Sequence, residues 1–302
     1  MTATLQTTSR GSSLAFLALL GAGVAVGFSP IFARLSDLAP LASGFYRLAF
    51  AVPAVWVFAW LSGDRLDSLS ALSRSDRIRL VIAGLAFAVD IGCWHLAIAN
   101  TTVLEATLLA STVPIMVTVA AIFFFGEKIK TLFILGLGLA FIGVATLAVQ
   151  RTGAGVTPPD RLLGGIYAML AALFFAIYLL IIANVRRHSS TTTIMFYMSL
   201  VAALGLLPFA WAMSPTLLSG SLEGWLILLG LAVISHAGGQ GLMTFALAHL
   251  PTSFSSMTGL MQTAVAAVAA WVLFAEPLTP MMLASGAAIL AGIWICRRAT
   301  AG

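Results

Sequence analysis

Two ionisable side chains, Asp90 and His95, interrupt the apolar stretch "GLAFAVDIGCWHLAIAN" at residues 84–100. A third, His236, lies in a similar stretch of the second half of the chain. Charged groups inside hydrocarbon are costly, so such residues line a polar pathway or pair with one another. An aspartate and a histidine near mid-depth form a candidate proton-responsive pair, because imidazole titrates near neutral pH. A buried histidine bonded to a backbone carbonyl is the structural alternative.

A second set of charges, Arg47, Glu105 and His95, is predicted at one depth nearer the outer end of the helices. A closed network of ion pairs and hydrogen bonds that fixes the first half is one interpretation. Binding of the carboxylate and ammonium of a zwitterionic substrate is the other. Asp90 and His95 are separated by about 140° around a helix, so one faces the pathway and the other a neighbouring helix. The sequence leaves open which does which.

Other candidate pathway residues are aromatic, apolar or uncharged polar side chains within about two helical turns of mid-depth. They are Phe28, Ser111, Val113, Phe175, Tyr178, Gln240 and Gln262. Pro30, Pro114 and the glycines of "GGQG" at 238–241 weaken helices near these positions and free carbonyls to face a cavity. Packing or contact with lipid is the alternative for the aromatic side chains.

The elements that position these residues are membrane helices. The chain is 61% hydrophobic and only 8% charged. Its apolar runs have the length of about twenty residues that a helix needs to cross a bilayer. The runs are 14–34, 41–62, 78–99, 103–125, 131–149, 162–184, 192–213, 224–248, 253–275 and 279–296. They predict an all-α membrane protein with ten transmembrane helices, and the longest polar break, 62–77, is too short to fold alone.

Basic residues set the expected orientation. With the N-terminus inside, eleven Lys and Arg residues fall in inner segments and three in outer ones. This bias predicts both termini in the cytoplasm, N-in and C-in, and a bacterial-type inner membrane. The net charge of +5 then reflects topology and indicates no nucleic-acid partner. The two cysteines, Cys93 and Cys296, lie in different helices, so we expect neither a metal site nor a cofactor.

The chain repeats itself at an offset of 149 residues. Gly92 then aligns with Gly241, and "FGE" at 125–127 aligns with "FAE" at 274–276. The repeat divides the chain into residues 1–152 and 153–302, with five helices each. Five is odd, so the second half enters the bilayer from the opposite face, and the repeat is inverted. The N-terminal segment looks like a signal peptide, but its counterpart in the second half argues against cleavage.

Glu127 and Glu276 occupy equivalent turns in the two halves. Each is expected to cap the N-terminus of the following helix, where free N–H groups and the helix dipole favour a carboxylate.

The repeat carries a family resemblance. A Glu follows each fourth helix ("FFGEKI", "LFAEPL"), an Arg lies early in helix two ("FYRLAF"), and "LAIANTTVLEATLLASTVP" joins helices three and four. Together these features resemble the drug/metabolite transporter superfamily, EamA type. The chain length and the "FFAIY" of helix six are most similar to YddG-type aromatic amino-acid exporters. The second half departs from the pattern: Thr263 matches Pro114, and Met198 matches Arg47, so whatever Arg47 does is done once.

The resemblance implies a secondary transporter that exports small organic solutes, aromatic or neutral amino acids first, through a central cavity between the halves. Other metabolites or drugs are alternative substrates, and proton antiport and facilitated diffusion fit equally well. An intramembrane enzyme, using Asp90 or the pair His95 and Glu105, and a passive channel are rival classes. No P-loop, GxSxG or HExxH motif supports an enzyme. Because one chain already holds both halves, a monomer is sufficient, although the sequence does not give the oligomeric state.

Overall fold

The computed structural model describes residues 2–101, 109–150, 160–274 and 279–301. This part of the chain is helical and contains no strand. The helices are α1 (Thr2–Gly27, then Ser29–Leu35), α2 (Pro40–Ala49, then Ala51–Ser62), α3 (Arg74–Asn100), α4 (Val113–Phe125), α5 (Thr131–Gln150), α6 (Arg161–Val185), α7 (Thr191–Met213), α8 (Leu222–Gly230, Leu231–Gln240 and Gly241–Ala246), α9 (Thr252–Ser255, then Thr258–Phe274) and α10 (Pro280–Ala301).

Eight of these helices are long and apolar enough to cross a membrane. The apolar parts of α4 and α5, Val113–Phe125 and Thr131–Thr146, are shorter within the described residues. The prediction of an all-helical integral membrane protein is confirmed. The count of ten crossings and the orientation of the termini stay predictions.

Polar residues mark where several helices begin. A side-chain oxygen accepts the N–H three residues further on at the start of four helices, with caps at Ser73, Asp160, Ser190 and Ser221. These bonds satisfy N–H groups that have no partner inside the helix. At the other end, Gly63 and Gly126 adopt left-handed backbone with φ of 69° and 64° and terminate α2 and α4.

Helix packing follows the repeat. α5 packs against α10 and α2 against α7, and each pair joins equivalent helices of the two halves. α3 packs on α6 as α1 packs on α8, and α4 packs on α6 as α1 packs on α9. Exchanging each helix of the first half for its counterpart leaves this pattern unchanged, as a pseudo-two-fold axis requires.

The α5–α10 contact shows the same exchange at single residues. A Cβ added at Gly136 would lie 2.7 Å from the Gly292 carbonyl oxygen, and one added at Gly143 would lie 2.8 Å from that of Ser285. At the offset of 149, Gly136 corresponds to Ser285 and Gly143 to Gly292. The repeat therefore converts one close backbone approach into the other, and the axis passes between these helices.

α1 and α8 are irregular where they reach the centre. α1 is interrupted at Phe28, ahead of Pro30, and resumes at Ser29. α8 is a π-helix over Leu231–Gln240, immediately before Gly241. Single π-turns are rare and concentrate at functional positions.

Candidate functional site

Arg47 is a buried basic residue at the centre of the bundle. It lies on α2 with only 6% of its surface exposed. Its Nη1 donates to Ser29 Oγ at 2.9 Å, at the break in α1, whereas its Nε has no partner. A buried guanidinium with an unused donor can still bind an acceptor, and the fork geometry of Arg suits a carboxylate.

Asp90 faces this arginine from α3. Its carboxylate interacts electrostatically with the Arg47 guanidinium. It is half-buried, and among the described residues no side chain or backbone group donates a hydrogen bond to it. The two side chains thus lie near each other at the centre, with no hydrogen bond between them in the described part of the chain.

His95 is satisfied by its own helix. Its Nδ1 donates to the Ile91 carbonyl at 2.7 Å. The ring packs against α2, where a Cβ added at Gly44 would lie 3.3 Å from His95 Cε1. Of Asp90 and His95, His95 therefore has the contacts of a structural histidine, whereas the Asp90 carboxylate has no hydrogen-bond donor among the described residues.

Four rings from three helices form a wall beside these charges. The centroid of Phe87 lies 4.8 Å from that of Tyr178 and 5.4 Å from that of His236. Phe175 stacks on Tyr178 with centroids 5.6 Å apart. Phe87 and His236 are equivalent at the offset of 149, so the axis also passes between these two rings.

His236 makes its hydrogen bond within its own half of the chain, the second. Its Nε2 is 2.8 Å from Ser199 Oγ on α7, and its Nδ1 has no partner. Phe87, rather than Asp90, contacts its ring. No hydrogen bond joins Asp90 to His236 in the part of the chain that the structure describes, so their coupling stays a prediction.

Four buried polar side-chain atoms on the helices that meet at this wall have no partner. They are Arg47 Nε, Tyr178 Oη, His236 Nδ1 and Gln240 Oε1. A comparable group lies at the turn between α6 and α7, at Asn184, Arg186, Ser189 and Thr191. Tyr178 Oη lies near the Thr244 hydroxyl but outside hydrogen-bonding geometry. Buried polar groups are nearly always paired, so several orphans around one ring wall indicate a place for a polar ligand.

Other predicted pathway residues lie outside this group. Phe28 packs against Ile31 and Ala269, and the Gln262 carbonyl oxygen lies 3.2 Å from a Cβ added at Gly27. Ser111 and Val113 are buried at the start of α4. Glu105 and Glu276 lie outside the described residues.

The expected role of Glu127 is wrong in one respect. Its carboxylate does not cap the following helix, α5. It accepts the Thr252 N–H at 2.8 Å and the Ser253 hydroxyl, at the start of α9 in the other half. The turn at Gly126 ends α4 and directs the carboxylate across the interface between halves.

Sequence reasoning missed Phe87, Ser29 and Ser199. Phe87 could have been found, because the repeat places it opposite His236. The two serines carry no pattern of their own, since their importance depends on which helices are neighbours.

A groove on the surface of the bundle lies elsewhere. It measures about 590 Å³ and lies between α4 and α5. Its walls include Ile115, Val119, Ile122 and Ile134, which are exposed aliphatic side chains. The groove is mostly apolar, although Glu127 and Lys128 also line it, and it contains none of the charged or ring residues of the bundle centre.

Two repeats of apolar helices with partnerless polar groups buried between them are typical of secondary transporters. The family model described as the EamA-like transporter family matches residues 13–149 and 162–298. The two matches are 149 residues apart at both ends, which confirms the offset of the repeat. The chain belongs to the EamA-like transporter family and is a transporter.

Individual relatives are distant. An uncharacterized transporter of Archaeoglobus fulgidus is 27% identical over 282 residues, covering 93% of this chain and 95% of that protein. The pseudopaline exporter CntI of Pseudomonas aeruginosa is 26% identical over 223 residues, covering 73% and 75%. A solved structure superposes with a TM-score of 0.76 over 97% of this chain and 98% of its own at 14% identity, which shows the fold alone.

Proposed function

We propose that this transporter exports small zwitterionic solutes, aromatic or neutral amino acids first, by alternating access between its two halves. The observation that carries the proposal is the set of unpartnered buried polar atoms around the Phe87 ring wall. Both halves contribute to this set, so a solute bound there is held by both and released when they separate.

The charges define the expected contacts of the solute. Arg47 binds its carboxylate through charge-assisted hydrogen bonds, and Asp90 binds its ammonium. The rings of Phe87, Phe175 and Tyr178 contact an aromatic or large apolar side chain. Because Met198 replaces Arg47 in the second half, the repeat offers a single carboxylate site and the solute binds in one orientation.

Two lines of support come from outside the site. The exporter CntI covers most of the same chain, which favours export as the direction. The packing pattern is unchanged when the halves are exchanged. This favours two states, related by the pseudo-two-fold axis, in which each half in turn opens its side. Because CntI is a pseudopaline exporter, other metabolites are also candidate substrates, and the substrate panel must include them.

The test is counterflow in liposomes that contain the purified protein. We expect saturable exchange of a labelled aromatic amino acid, competed by neutral zwitterions and not by the corresponding amines. Flux that neither saturates nor responds to internal solute would identify a channel. Repeating the assay with a pH gradient separates proton antiport from facilitated diffusion, because only antiport accumulates solute against its gradient.

The proposed orientation has its own test. We place both termini, 62–77, 126–130 and 185–191 in the cytoplasm of a bacterial-type inner membrane, on the distribution of basic residues. Impermeant thiol labelling of single cysteines in intact cells should spare all of these positions. Labelling of the C-terminus alone would mean an odd number of crossings and would contradict the inverted repeat.

A further inference from the structure

The turn between α4 and α5 is bound to the opposite half of the molecule. Both oxygens of the Glu127 carboxylate are used, one by the Thr252 N–H and one by the Ser253 hydroxyl. Glu127 belongs to the first repeat, and Thr252 and Ser253 begin α9 in the second. A helix cap supplied by its own preceding turn would not join the halves, whereas this one does.

A second contact reinforces the same junction. The Arg187 guanidinium carbon lies 5.5 Å from the centre of the Phe125 ring. Phe125 ends α4 two residues before Glu127, and Arg187 follows α6 in the second repeat. The end of α4 is therefore held by two polar contacts across the interface, both on the face predicted to be cytoplasmic.

The turn also has room to move. Gly126 ends α4 in left-handed backbone, and a Cβ added there would meet nothing within 4 Å. Glu127 and Lys128 line the groove of about 590 Å³ between α4 and α5. This differs from α5 and α10, where Gly136 and Gly292 bring two backbones into direct contact.

We propose that Glu127 is a positioning residue for transport: its bonds to Thr252 and Ser253 form a latch that closes the cytoplasmic mouth and must open in each cycle. The inference rests on the proposed alternating access. Thr252 and Ser253 are buried and Glu127 is half-buried in the closed contact, so separation of the two helix ends exposes these groups to water, which can replace the bonds. An exchangeable polar contact of this kind can be made and broken repeatedly, unlike packed apolar surface.

A reversible cross-link tests whether the latch must open. In a background with Cys93→Ala and Cys296→Ala, Glu127→Cys and Ser253→Cys are joined by a short bis-thiosulfonate reagent. We expect counterflow to stop and to return when a reductant cleaves the link. The matched control is Ser73→Cys with Asp76→Cys, whose native side chains are 2.7 Å apart within one half. Linking the control pair should leave counterflow unchanged.

A distance measurement tests the latch without any transported solute. Spin labels on Lys128→Cys and His249→Cys, both exposed positions, leave Glu127 and Ser253 intact. We expect two distance populations, with Glu127→Gln raising the ratio of long to short on the order of tenfold, since the carboxylate charge that strengthens both bonds is lost. A single short distance in both proteins, with the cross-linked carrier transporting at the parent rate, would show a static cap and overturn the latch. If the uncross-linked parent shows no counterflow while two populations persist, the proposed function fails and the latch stands.

Discussion

The α5–α10 contact and the centre of the bundle lie on the same pseudo-two-fold axis and are built differently. At the contact, glycines at 136, 143 and 292 bring backbones together. No buried side-chain polar atom lacks a partner within the described residues of α5 and α10. At the centre, Arg47, Tyr178, His236 and Gln240 each have an unused polar atom. The α5–α10 contact leaves no such atom unpaired, whereas the centre leaves atoms with which, under the proposed function, a bound solute would pair.

The largest effect is expected where a side chain is added at the close contact between α5 and α10. A Cβ at residue 292 would lie 2.5 Å from the Gly136 carbonyl oxygen, so Gly292→Leu cannot be accommodated without separating α5 from α10. We expect destabilisation of about 3 kcal/mol or more. The matched control is Gly138→Leu on the partner helix α5, where nothing lies within 4 Å of an added Cβ. Thermal unfolding in detergent measures the stability of both variants. Equal melting temperatures would contradict the close packing of α5 against α10.

A smaller and selective effect is expected at the ring wall. Phe175→Ala or Tyr178→Ala removes apolar contact and stacking, so transport of an aromatic substrate should fall about tenfold more than that of a small aliphatic one. Counterflow at matched expression of each variant provides the comparison. Equal losses for both substrates would assign these rings to packing and remove the main support for an aromatic solute.

Asp90 and His236 sharpen the comparison by testing whether the centre acts as one unit. Asp90→Asn should keep the fold and change the rate of transport or its pH dependence. His236→Gln should do the same, and the double variant should lose less than the product of the two single losses. Multiplicative losses would mean that the two residues do not share a site. A fall in melting temperature with an unchanged pH profile would make Asp90 a structural acceptor.

The smallest expected effect is that of one hydroxyl. Tyr178→Phe removes an oxygen that has no partner, so the melting temperature should not fall. Affinity for a zwitterionic solute should decrease about fivefold, the value of one hydrogen bond. The decisive outcome is the combination of the two measurements. A marked loss of stability would show that the hydroxyl is already bound inside the protein.

The sequence predicted the helices and the repeat because both depend on local pattern. Runs of apolar residues specify helices in a membrane, and the match of "FGE" with "FAE" fixes the offset. The same offset places Phe87 opposite His236. Contacts between helices were predicted less well: Ser29 binds Arg47, and Glu127 reaches α9. Those contacts depend on which helices are neighbours and how a turn directs one side chain, which neither composition nor spacing specifies.

Binding of three related solutes tests the central claim most directly: that Arg47 and Asp90 bind the two ends of one zwitterion. Calorimetric titration would compare tryptophan, tryptamine and indole-3-propionate in the parent, Arg47→Met and Asp90→Asn. We expect the parent to prefer tryptophan, Arg47→Met to lose its preference over the amine, and Asp90→Asn to lose its preference over the acid. Each loss should be on the order of tenfold or more, as for one charge-assisted hydrogen bond. A preference for tryptophan that survives both substitutions would contradict the account, because the ends of the solute would then be bound elsewhere.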